Sequence, residues 1–163
     1  MNSKVDINNL SIDDVHALIQ AEKMPTNILK YQDIMNQIHQ TLILSSHTYK
    51  CRVKDVERQI LYDFRVHTTP VSTIFSIGLM FDENKNHLVR FDFGENLRHV
   101  NDYGTENEKV IYGSHVHFNS PAGKYVPKNV IPVGGIDEFK NIARIKEALD
   151  RFVIYTNIQL GGD

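Results

Sequence analysis

The sequence predicts an α+β fold, a mainly antiparallel sheet covered by N-terminal and C-terminal helices, and three observations support it. Apolar residues recur at helical spacing near the start of the chain, at Ile12, Val15, Leu18 and Ile19. They recur again near its end, at Phe139, Ile142, Ile145, Leu149, Phe152 and Val153. Between these stretches, from about 41 to 118, the pattern is the two-residue alternation of half-buried strands. With 163 residues, 41% of them hydrophobic, including 8 Phe and 7 Tyr, the chain can build one core, and we read 1–163 as a single domain.

The first helix, expected over about 11 to 23, opens with Ser11 as N-cap and Asp14 three residues on, with Ile12, Val15, Leu18 and Ile19 as its buried stripe. Met24-Pro25-Thr26-Asn27 breaks it. Residues 28 to 40 have helical spacing without strong caps and stay ambiguous. Strand-like runs follow at 41 to 53 and 59 to 68. A hairpin spans 73 to 93 around the polar connection Asp82-Glu83-Asn84-Lys85-Asn86. Residues 94 to 110, rich in Gly and Asn, are expected as a surface loop leading to a strand at 113 to 118. Prolines and glycines from Pro121 to Gly135 mark a second irregular region, and the closing helix is expected over about 139 to 155.

Composition narrows the function classes. A formal net charge of −2 argues against broad attraction to nucleic acid and leaves room for a local basic patch. The single Cys51 cannot form an internal disulfide, and neither a signal peptide nor a membrane span is legible, so we expect a cytoplasmic protein without membrane partners. Lys50 and Arg52 flank that thiol and could lower its pKa, although a half-packed strand cysteine is the plainer reading. Walker loops, G-x-S-x-G and G-x-G-x-x-G are absent from the sequence.

The chemistry centres on Gly113-Ser114-His115-Val116-His117-Phe118. Strand side chains alternate, so His115 and His117 share one face and Val116 and Phe118 the other. On the preceding strand Arg90 and Asp92 are also in phase, and His99 lies in the connection between them. Asp63, Arg65 and His67 show the same phase, and we read Asp63 and Arg65 as charge pairs on a solvated face. H-x-H supplies only two metal ligands, which His99 or Asp92 would have to complete, so neither a metal nor a cofactor is expected. Metal-free RNA cleavage needs a base for the 2′-hydroxyl, an acid for the leaving oxygen and a cation for the phosphorane. His115, His117, His99 and Arg90 are the catalytic candidates for those roles; Arg98, Asp92 and Asp102 are the substrate-binding ones.

His115-Val116-His117-Phe118-Asn119 resembles part of the histidine-triad hydrolase signature, with Asn119 in place of the third histidine. Three blocks together resemble an uncharacterised bacterial family of small proteins often found near mobile elements or defence genes. They are the opening Leu18-Ile19-Gln20-Ala21-Glu22-Lys23, the central Arg90-Phe91-Asp92-Phe93-Gly94 with His99, Asn101, Asp102, Gly104 and the H-x-H run, and the closing Leu149-Asp150-Arg151-Phe152 to Ile158. The chain departs from that pattern after His117, where Asn119-Ser120-Pro121-Ala122-Gly123-Lys124-Tyr125-Val126-Pro127 stands in place of an aromatic, basic and acidic run before the proline. The resemblance is distantly toxin-like and supplies a grouping, not a reaction; together with the histidines and arginines above, the expectation is a small toxin-like protein acting on RNA, with a metal-independent endoribonuclease as the enzymatic form and a cognate antitoxin as a partner. The competing expectation is a non-catalytic inhibitor or anti-defence module that engages a host or phage protein through its sheet face and the acidic Glu106-Asn107-Glu108.

Overall fold

A computed structural model describes residues 4–119 and 129–160. In chain order the elements are α1 (Ile12–Gln20), β1 (Lys23–Pro25), α2 (Ile28–Gln40), β2 (His47–Asp55), β3 (Ile60–Thr68), β4 (Phe75–Phe81), β5 (His87–Phe93), β6 (Arg98–Asn101), β7 (Lys109–Tyr112), β8 (His115–Phe118), β9 (Val130–Pro132) and α3 (Ile145–Tyr155). The fold is α+β. A sheet of seven strands, ordered β1-β2-β3-β4-β5-β8-β9, is antiparallel at every pairing, and β6 and β7 form a separate two-stranded ribbon. Among the described residues no helix is long and apolar enough to cross a membrane.

Alternation gives the sheet two unlike faces. Cys51, Val53, Tyr62, Phe64, Val66, Ile77, Leu79, Phe91, Phe93 and Val116 are buried, as are Val15, Leu18 and Ile19 of α1, Tyr31, Ile34 and Ile38 of α2, and Leu149 and Phe152 of α3. Aromatic rings tie these layers together: Phe91 lies 4.2 Å from Phe139 and 5.7 Å from Phe152, centroid to centroid. The opposite face carries the polar set, Lys50, Arg52, Asp63, Arg65, His67, Ser76, Arg90 and Asp92.

Several elements differ from the sequence reading. Ser11 and Asp14 form the capping box, but α1 stops at Gln20 and Ile12, at its first turn, is exposed. The chain turns there into β1, a short edge strand where Pro25 is tolerated. Asn27 caps α2 by accepting from the Lys30 amide, which settles the ambiguous stretch as helix. Residues 41 to 46 are not strand, and Leu42 and Ile43 stand in solvent. The expected loop at 94 to 110 contains β6 and the start of β7, and β9 pairs with β8 inside the expected irregular region. Residues 120–128 of that region lie outside the described residues. Asn141, at φ +63, interrupts the C-terminal periodicity, so α3 begins at Ile145 and Phe139 reaches the core from a 3₁₀ turn.

Candidate functional site

Register explains why the site forms where it does. On β5 and β8, Arg90 lies opposite His117 and Asp92 opposite His115, so all four side chains rise from the polar face of one strand pair. Arg90 grips Asp92 bidentately, Nε to Oδ1 at 2.9 Å and Nη2 to Oδ2 at 2.9 Å. Asp92 Oδ2 also sits 3.1 Å from His117 Nε2 and 3.6 Å from His115 Nε2. The His115 Nδ1–H donates to the Gly113 carbonyl at 3.0 Å. Gly113 itself is left-handed, at φ +83.

His99 arrives from the ribbon. Along β6, His99 and Asn101 point one way and Arg98 and Val100 the other. Asn101 mimics a strand: its Nδ2 donates to the Val130 carbonyl and its Oδ1 accepts from the Val130 amide, each at 2.8 Å. Asn129 does the same for Asp102, accepting from its amide at 2.9 Å and donating to its carboxylate at 2.8 Å. These bonds pin the ribbon to β9 and set the His99 ring 5.2 Å from His117 and 5.6 Å from His115. One nitrogen from each of the three imidazoles lies within 4.8 Å of the other two.

Electrostatics follow from this packing. Burial pushes the Asp92 carboxyl up, but hydrogen bonds from His115, His117 and Arg90 outweigh it and hold it well below the usual carboxylate range. Asp92, helped by the Gly113 carbonyl, raises the pKa of His115 against the opposing effect of burial.

The structure thus gathers His99, His115, His117, Arg90 and Asp92. Arg98 is exposed on the side of β6 opposite His99, and Asp102 serves as a staple to Asn129, so neither is brought to the imidazoles by these contacts. Cys51 is buried, which pushes its thiol up to about 11, and the flanking charges do not activate it. Asn119 holds strand ends together, donating from Nδ2 to the His87 carbonyl at 2.8 Å.

Next to the imidazoles the polar face dips into a cavity of about 240 Å³ lined by Thr48, Arg65, His67, Ser76, Gly78, His87 and Arg90, with no carboxylate. Sequence reasoning placed Arg65 in a solvated charge pair. Instead Asp63 faces Lys85 at 3.6 Å, and the Arg65 guanidinium, beside the Met80 sulfur at 3.5 Å, lines the cavity. His87 was missed for a definable reason. Strict alternation would set it in phase with Val89 on the core face, but a bulge at Leu88 pairs Met80 with His87 and Leu79 with Val89, turning His87 to the polar side.

Comparison with family models, with curated proteins and with solved structures gives no match. The functional reading therefore rests on the site itself.

Two predictions concern the cavity. A Cβ at Gly78 would lie 2.9 Å from the Val89 carbonyl oxygen and 3.3 Å from Arg90 Cγ, so Gly78→Ala should force β4 and β5 apart. Urea denaturation should show a loss of about 1–3 kcal/mol. Burial, followed by the nearby Arg90 and Arg65, depresses His87 to about 4, and its Nδ1 has no partner among the described residues. The folded state therefore keeps His87 neutral while the unfolded chain protonates near 6.5, so stability falls as the pH drops from about 6.5 to 4. His87→Gln should remove up to about 3 kcal/mol of that acid dependence in denaturation measured at pH 7 and pH 4. Identical pH slopes for both proteins would contradict it.

Proposed function

We propose that this protein binds RNA across the polar face of the sheet and cleaves it by metal-independent transesterification at the imidazole cluster. The observation that carries the reading is the His117–Asp92 pair facing His99. The His117 Nε2–H is directed to Asp92 at 3.1 Å, which leaves Nδ1 as the basic atom, and the His99 ring is 5.2 Å away. In the reaction His117 takes the proton of a ribose 2′-hydroxyl, the 2′-oxygen attacks phosphorus, and the P–O5′ bond breaks as His99 protonates the leaving 5′-oxygen. The products are a 2′,3′-cyclic phosphate and a free 5′-hydroxyl. His115, buried and held by Asp92 and Gly113, supports charge at the site.

The overall charge of −2 does not oppose this, because Lys50 and Arg65 stand on the face that carries the cluster and the cavity beside it has no carboxylate in its lining. The cavity between Arg65 and Arg90 suits a phosphate next to the scissile one. The test is incubation of an RNA oligonucleotide with protein and chelator. Cyclic-phosphate products are expected, with a 2′-deoxy substitution at the scissile nucleotide blocking cleavage and His117→Ala slowing it by about 10²–10⁴. Intact RNA with wild type, or equal cleavage by wild type and His117→Ala, would retire the reading.

A further inference from the structure

We infer that His99, His115 and His117 also form a seat for one divalent transition-metal ion of the zinc class, and that occupancy of this seat withholds His117 and His99 from proton transfer. The second half rests on the proposed RNA cleavage; the first stands without it.

Three independent features point to the metal. The first is convergence. Two nitrogens bound to one tetrahedral zinc at about 2.0–2.1 Å lie about 3.3 Å apart, so donor atoms already within 4.8 Å close on an ion with shifts of under about 1 Å each. The second is orientation. Metal-bound histidines characteristically donate their other ring N–H to a carbonyl or carboxylate, which fixes the tautomer and turns the basic nitrogen toward the ion. His115 has such a support at Gly113 and His117 at Asp92. The third is charge. Arg90 and Asp92 neutralise one another through their bidentate contact, so the cation would not meet an uncompensated guanidinium beside the imidazoles. Three imidazole nitrogens suit zinc, copper or nickel and not magnesium or calcium, which prefer oxygen ligands.

Placement on rigid elements makes the seat specific. His115 and His117 are two residues apart on β8, paired on both sides by β5 and β9, and the Asn101 and Asn129 bonds hold the ribbon bearing His99. An ion in this seat would engage an imidazole nitrogen of both His117 and His99, the two rings that the cleavage reaction uses for proton transfer.

The experiment uses untagged full-length protein, zinc titrated against a chromophoric chelator, and RNA cleavage followed in parallel. We expect one zinc per chain, at least 100-fold weaker binding in both His115→Gln and His99→Gln, and cleavage suppressed by zinc and restored by chelator. Folding of each variant is checked by circular dichroism. Cobalt provides a second readout that does not depend on activity: visible absorption of low-symmetry, four-coordinate character in wild type and its loss in His99→Gln. Absence of stoichiometric zinc binding, with cleavage intact, would overturn the metal seat and leave the cleavage reading. Stoichiometric zinc with cleavage abolished by chelator would keep the seat and overturn metal-independent cleavage. Zinc bound without any effect on cleavage would overturn the inhibitory half alone.

Discussion

Replacement of Lys23 by methionine should destabilise the protein by about 3–5 kcal/mol, a larger loss than any other single polar substitution we predict. Lys23 is completely buried in the first strand. Its ammonium donates to the Ile19 carbonyl at 3.0 Å, the Ala21 carbonyl at 2.7 Å and the Thr156 carbonyl at 2.9 Å. Those oxygens belong to the C-terminal ends of α1 and α3, where helices leave carbonyls unpaired and the dipole favours a cation. One side chain thus ties the ends of two helices together, its Thr156 acceptor lying 133 residues away in sequence. Methionine fills similar space but donates no hydrogen bond, leaving three acceptors unsatisfied inside the protein.

A pH signature separates this role from simple packing. Burial pushes the Lys23 ammonium down to about 7 while Asp55 pulls it back up. Because the folded pKa is depressed, the unfolded chain holds the proton above pH 7 when the folded one does not, and stability rises with pH until the unfolded value is passed. Wild type should therefore gain on Lys23→Met by about 1–3 kcal/mol between pH 7 and pH 9 in urea titrations. A constant difference across that range, or a variant as stable as wild type, would contradict the prediction.

Lys23 also marks where the sequence stops being legible. A lysine after an amphipathic helix looks like a solvated helix end, and its third acceptor, Thr156, lies far outside any local window. The helical stripe of α1 and the alternation of β3, β4 and β5 were readable because each element buries one face, and burial writes a period into the residues. The β6–β7 ribbon was hidden because the Gly, Asn and Asp residues around and between its strands read as a loop, and the bonds that pin it, from Asn101 on β6 and from Asn129 just before β9, are side-chain contacts that leave no period in the sequence. The site was legible to the same degree. Phase placed His115 and His117 with Arg90 and Asp92, whereas the exclusion of Arg98 follows only once β6 is known to be a strand with His99 on its inner side. Arg65 was visible in phase with His67 but not distinguishable from surface charge, because the partner that would have neutralised it, Asp63, is turned to Lys85.

Asp92→Asn should lower kcat for RNA cleavage by about 10²–10⁴ while leaving KM nearly unchanged. Asp92 touches no reacting atom in the proposed mechanism; it is a positioning residue that acts through His117 and Arg90. A carboxylate can only accept, so it fixes the proton on His117 Nε2 and keeps Nδ1 basic. An asparagine amide can turn its NH₂ toward His117, favouring the tautomer with the proton on Nδ1, where it blocks base catalysis. The same change removes the charge that neutralises Arg90 and the support that a metal-bound His117 would use, so zinc affinity should fall by about 10–100-fold in parallel. Zinc affinity per folded molecule is the discriminating readout, because a merely structural role would lower the amount of active protein, and with it the apparent kcat, without altering that affinity. Asp92→Asn protein that is folded, binds zinc as wild type does and cleaves at the wild-type rate would show that the carboxylate does no more than pair with Arg90.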